Sequence, residues 1–245
     1  MQSLQLQLHL LCTAVLVLAG QAHAHQVWIE QDARGAKLYF GEFGENLREA
    51  SPGRLDRFVN PLAHRQSAQG MQPLHAVKTA NGFALSARAA KGESLLAEEP
   101  VFPIAERKDG DKTVRSLYVP AARLVTGHGR LEPKLTLDLV PTGQPGKDGM
   151  EVQAFYMGQP LPKAKVAVAT PSGWTQEHRA DEQGKLTVKL PWKGRYVLEL
   201  KHTGGAGERA GEQYDRASYV TSLTTMQHRG LPALPAAPPA SPNKN

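Results

Sequence analysis

The sequence is poor in the features that would tie it to a thiolate centre, a membrane span or a nucleic acid. Its 245 residues contain one cysteine, Cys12, which lies inside an apolar run rather than after it. One sulfur builds neither an intrachain disulfide nor a thiolate metal cage, and its position argues against lipid attachment. The longest apolar run, residues 10–19, is too short to cross a bilayer, so an integral membrane protein is not expected. Lys and Arg total 29 against 23 Asp and Glu, giving a net charge of +6. No basic block reaches the length that marks a nucleic-acid surface. Aromatic residues are only 6% of the chain, and no exposed aromatic platform for a polysaccharide can be picked out. Enzyme signatures are also missing: there is no Gly-x-Ser-x-Gly, no His-Glu-x-x-His and no phosphate-cradling Gly-Lys-Ser/Thr loop. The chain is therefore not expected to be an enzyme.

What is present begins at the N-terminus. Residues 1–24 read as an export signal: an apolar stretch followed by the small-residue segment Gly20-Gln-Ala-His-Ala24. The rival reading is a buried apolar helix, since no Lys or Arg precedes the run. Export to the periplasm leaves a cysteine-free chain that its core alone must stabilise. Two cleavage frames fit. Cutting after Ala24 exposes His25 as the first residue, so that its α-amine and one imidazole nitrogen can chelate a single metal. A further imidazole would complete a T-shaped three-nitrogen site suited to copper and tolerable for nickel or cobalt. Cutting after Ala22 gives His23-Ala24-His25, a square-planar arrangement that selects Cu(II) or Ni(II).

The body of the chain reads as many short strands. Residues 26–30 and 37–40 alternate around the turn Asp32-Ala-Arg-Gly35, and residues 73–79 and 83–89 flank Asn81-Gly82, a strong hairpin signal. Turn residues recur every 8–12 residues, the spacing of sandwiches rather than of βαβ units. Only residues 45–49 and 120–124 look briefly helical. The expected fold is all-β, with two β-sandwich domains: residues 25–132, and residues 133–226 beyond the Gly127-His-Gly-Arg-Leu-Glu-Pro133 punctuation. The segment 227–245, rich in proline, is expected to be disordered.

Candidate ligands beyond His25 are few. His128, between two glycines, could swing toward His25 as the second imidazole. Glu42 or Glu45 could add an oxygen if the second strand pairs with the first. His64, His178 and His202 are isolated in polar surroundings, His75 lies in a strand where it alternates with Leu74 and Val77, and His228 borders the tail. The dense charged stretch with Arg48, Glu49 and Arg54 reads more simply as a solvated loop. The methionines are scattered, with no thioether cluster for Cu(I).

The second half carries Gly158-Gln-Pro-Leu-Pro-Lys-Ala-Lys-Val166, Ala180-Asp-Glu-Gln-Gly184 and Trp192-Lys-Gly-Arg-Tyr-Val-Leu198. It resembles the Greek-key sandwiches of carboxypeptidase regulatory domains and transthyretin, which implies fold rather than activity. The start Ala24-His25-Gln-Val-Trp28, the pair Gly41-Glu42 and the closing segment 214–224 extend a second resemblance along the chain. The whole is similar to bacterial periplasmic proteins assigned to cobalt or nickel uptake systems. That resemblance implies metal binding at His25 and delivery to a membrane transporter. The histidine expected in some members near residues 113–119 has no match here.

The leading expectation is a periplasmic metal-binding protein holding Ni, Co or Cu through His25, His128 and Glu42. A non-metal envelope binding module and a copper-dependent oxidase are the alternatives.

Overall fold

In the computed structural model, residues 25–146 and 149–242 are described; the export signal assigned to residues 1–24 lies outside them. The first half runs β1 (Gln26–Asp32), β2 (Gly35–Glu42), β3 (Leu47–Arg48), a 3-10 turn (Arg54–Arg57), β4 (Leu62–Ser67) and β5 (Gly70–Leu74). It continues with β6 (Ala76–Thr79), β7 (Gly82–Leu85), β8 (Ser94–Glu98), β9 (Ala105–Asp109) and the long β10 (Lys112–Val125). The second half runs β11 (Leu137–Gly146), β12 (Gly149–Tyr156), β13 (Gln159–Pro160), β14 (Lys165–Ala169) and β15 (Thr175–Arg179). Then come β16 (Lys185–Lys189), β17 (Gly194–Gly204), β18 (Gly207–Arg209), β19 (Glu212–Tyr214) and β20 (Arg216–Gln227). The fold is all-β and of sandwich type.

Three sheets stack as layers, and the middle one belongs to both halves of the chain. Its order is β15-β14-β17-β20-β10-β8-β4-β5, with β9 added on β10. The join is the pairing of β10 with β20, which is parallel in a sheet otherwise antiparallel, from Ser116↔Arg216 to Leu124↔Thr224. The outer sheets are β1-β2-β7-β6, with β3 on β2, and β11-β12-β13, with β16 on β12.

Side chains alternate across a strand, so a strand in the middle layer can feed two cores. In β10, Ala122 and Leu124 join a core with Val27, Ile29, Phe40 and Phe58. Leu117, Val119 and Val125 of the same strand face Leu139, Val152, Val166 and Leu198 on the other side. In β17, Tyr196, Leu198 and Leu200 enter the second core, whereas Val197 packs with Trp28 and Phe43. The two halves thus share one sheet.

A buried ion pair fastens this junction. The guanidinium of Arg123 donates to Asp138 through Nε (3.0 Å) and Nη2 (2.5 Å), and both side chains are fully buried. Nη1 also donates to Gln66 Oε1 and Ser94 Oγ, and Asp138 accepts from the backbone N–H groups of Lys134, Leu135 and Leu139. The network ties β4, β8 and β10 to the start of β11. Each charge is paired and hydrogen-bonded, the condition under which burying it is tolerable.

Three segments depart from the sequence reading. Residues 120–124 continue the strand begun at Lys112, with Pro120 paired to Val220 across the parallel join. Residues 45–49 form a turn and the short β3. Residues 229–242 lie extended on the surface instead of loose. The Leu231 N–H donates to the Pro191 carbonyl (2.9 Å), the Ala237 N–H to that of Pro171 (2.8 Å), and the Ala240 N–H to that of Asn46 (3.3 Å). Prolines pre-extend this tail, so docking it costs little backbone entropy.

Candidate functional site

His25 stands at the head of β1, and the register Gln26↔Gly41 and Val27↔Phe40 sets it beside the end of β2. Gly41 decides what happens next. Its φ is +147°, and a Cβ there would collide with the Leu47 carbonyl. Only glycine lets the chain turn at residues 43–46 and fold β3 straight back onto β2, with Gly41 paired to Arg48. That return places Glu42 and Glu49 on either side of one imidazole. The Glu49 N–H donates to the Phe40 carbonyl at 2.8 Å, which fixes the backbone that carries the second carboxylate.

The imidazole is held on several sides. Its Nε2 lies 2.5 Å from Oε1 of Glu49, whose side chain is fully buried. Its Nδ1 faces Oε1 of Glu42 at 3.6 Å, and both of these side chains are 15% exposed. The ring packs on Phe40 with centroids 5.0 Å apart. The His25 carbonyl accepts a hydrogen bond from the Tyr118 hydroxyl (2.5 Å). Burial, helped by Glu199, drives the Tyr118 pKa far upward, so this hydroxyl stays a donor. Below the site, Phe40, Phe58, Phe102 and Tyr118 stack edge to face in sequence and keep water from that side.

Arg48 braces the returning strand. It donates to Glu30 Oε1 (2.8 Å) and Asn46 Oδ1 (2.5 Å) and lies 4.8 Å from the Tyr39 ring centre. Glu30 also takes Arg195 (2.9 Å) and the Trp28 indole N–H (2.8 Å).

The structure brings His25 and Glu42 together and adds Glu49, which the sequence reading left within a charged loop. The signal for Glu49 was the glycine at 41, which leaves room for the Leu47 carbonyl of a strand folding back. Glu45 is exposed in the turn. His128 is set apart. It follows β10 at the opposite end of β1, where Gln31 lines the same cavity, and Gln31 lies six strand steps from His25, roughly 20 Å. There its Nε2 lies 3.4 Å from Thr225 Oγ1, and burial, with His228 nearby, lowers its pKa. His178 and His202, both half-buried in the second half, are likewise lowered by burial. His64 sits in β4, and His75 is exposed where the chain crosses from the middle sheet to an outer one.

Imidazole nitrogen and carboxylate oxygen are donors suited to divalent first-row metals. Two ligands about 2.1 Å from a metal stand some 3.0–3.6 Å apart across 90–120°, a span the Nδ1–Glu42 distance meets. Among the described residues no group of three or more His, Cys, Asp or Glu side chains is arranged to hold a metal. A site at His25 therefore needs a ligand besides side chains of these types.

A search of curated proteins finds no match. A sequence family described as a domain of unknown function, DUF4198, matches residues 22–204, from just before His25 to the end of β17. That span is about three-quarters of the chain, and the protein belongs to the DUF4198 family.

Proposed function

We propose that this is an exported metal-capture protein whose mature chain begins at His25. The α-amine and Nδ1 of His25 chelate one divalent ion, nickel, cobalt or copper, and Glu42 supplies an oxygen. Glu49 holds the opposite ring nitrogen, Nε2. The observation that carries this reading is the placement of a fully buried carboxylate on Nε2 while Nδ1 looks toward a second one. A metal-bound histidine characteristically gives its other N–H to a carboxylate, which fixes the tautomer and raises ligand basicity. The amine supplies the ligand that the side chains do not.

The role is capture and delivery to a membrane transporter of the periplasm. Support for nickel or cobalt in particular is the resemblance at Ala24–Trp28 and Gly41-Glu42. Binding requires deprotonated ligands, so affinity falls as the medium is acidified.

A second reading also has an observation behind it. The short His25–Glu49 contact and the Tyr118 bond to the His25 carbonyl would anchor the start of β1 without any metal. One comparison separates the two: calorimetric titration of Ni(II), Co(II) and Cu(II) into the chain starting at His25 and into the same chain with its α-amine acetylated. Capture predicts micromolar or tighter binding that acetylation weakens at least tenfold, with thermal stability unchanged. If both chains bind equally, or neither binds, the site is an anchor.

A further inference from the structure

A cavity of about 1050 Å³ opens at the other end of β1, bounded by the ends of β10, β16 and β20 and by the first residues of the tail. Clefts of roughly 300–1,000 Å³ are the size that takes small organic molecules. Its walls divide by chemistry. Leu124, Val125 and Leu190 give a buried apolar floor. Met226 and Leu231, 40% and 59% exposed, continue the apolar surface to the rim.

Among the described residues, every ionisable side chain lining the cavity is basic or an imidazole, and no Asp or Glu lines it. Arg195 is committed to Glu30 on β1 at 2.9 Å. Lys189 and Arg229 are exposed at the rim, and neither is ion-paired among the described residues. His128 and His228 add N–H donors, and burial of His128 beside His228 favours its neutral ring. Among the described residues a metal cation would meet no carboxylate here and two full positive charges at the mouth. An apolar floor under a cationic rim is complementary to the opposite kind of molecule.

We propose that this cavity binds an amphipathic organic anion, a carboxylate on a flexible hydrocarbon body. The hydrocarbon lies on Leu124, Leu190, Met226 and Leu231, and the carboxylate reaches Lys189 and Arg229 at the rim. The side chains that hold it share nothing with the His25 site, so the inference stands apart from metal capture.

The test is calorimetric titration of the purified protein with octanoate at low salt, with octanol and inorganic phosphate as comparators. Octanoate is expected to bind with a submillimolar Kd, and octanol and phosphate at least tenfold more weakly. The double variant Lys189→Glu, Arg229→Glu should weaken octanoate at least tenfold and leave the melting temperature unchanged, since both side chains are exposed. His25→Ala should leave octanoate binding unchanged. Octanol binding as tightly as octanoate would reduce the cavity to an apolar groove, and phosphate binding as tightly would reduce it to a simple anion site. Either outcome overturns the proposal, as would no octanoate binding or an indifferent double variant.

Discussion

The two ends of β1 are built to opposite chemistry. At the His25 end, carboxylates from β2 and the segment after β3 close on one imidazole. At the Gln31 end, Lys189, Arg195 and Arg229 come from β16, β17 and the tail and meet His128 and His228. In the sequence these charges are dispersed among their opposites and mark no patch. The fold sorts them, because strands distant in sequence end side by side at the edges of one stack. Net charge thus says little about what either end prefers.

Both ends depend on the shared middle sheet, so the largest expected effect comes from unfastening it. Arg123→Ala leaves Asp138 buried without its partner and should cost about 3–5 kcal/mol in denaturant unfolding. Replacing both, as Arg123→Met with Asp138→Leu, should cost much less, because no charge is then stranded. If the single variant were as stable as the parent, the halves would not be coupled through this pair.

Next in size is a change that should touch one end alone. Glu49→Gln keeps the shape but removes the charge on Nε2, and loss of such a supporting carboxylate typically costs 10–100-fold in metal affinity. Octanoate binding at the other end should not move. Equal loss at both ends would mean that the variant had disturbed the sheet.

Acid should act through the partly buried histidines. Burial lowers the pKa values of His128, His178 and His202, so between the ordinary histidine value near 6.5 and those lower values the unfolded chain binds more protons. Their contribution is complete above about pH 6.5 and is lost as pH falls through the folded values. Melting temperature measured from pH 8 to pH 5 should decline, and His178→Gln, which removes a ring with a buried unpaired Nε2, should flatten the decline.

The smallest effect is expected from the tail. It leaves the cavity at Leu231 and reaches Asn46, whose Nδ2 donates to the Ala237 carbonyl at 2.7 Å. Deleting residues 232–245 removes these bonds, each worth about 1 kcal/mol net. Metal affinity should fall a few-fold through the loosened turn between Glu42 and Glu49, and octanoate binding should hardly change.

Much of this was legible locally and little of it globally. The Asn81-Gly82 turn and the alternation of Val166 with Val168, and of Tyr196 with Leu198 and Leu200, sit in the strands where their pattern places them. Periodicity reports which residues share a face, and these do. It cannot report that β10 pairs in parallel with a strand about a hundred residues later, because nothing local encodes that partner. Pro120 hid the continuity of β10, since proline usually interrupts a strand. His25 and Glu42 were legible as a pair through a single hairpin. Glu49 needed the fold-back at Gly41, and His128 lies at the far end of β1 because the strand between is straight and extended.

The most direct measurement is anomalous diffraction from crystals of the chain starting at His25, loaded with Ni(II). A single strong peak about 2.1 Å from His25 Nδ1 is expected, with the α-amine and Glu42 in its coordination shell and Glu49 still on Nε2. A peak between His128 and His228, or none at His25, would contradict the account.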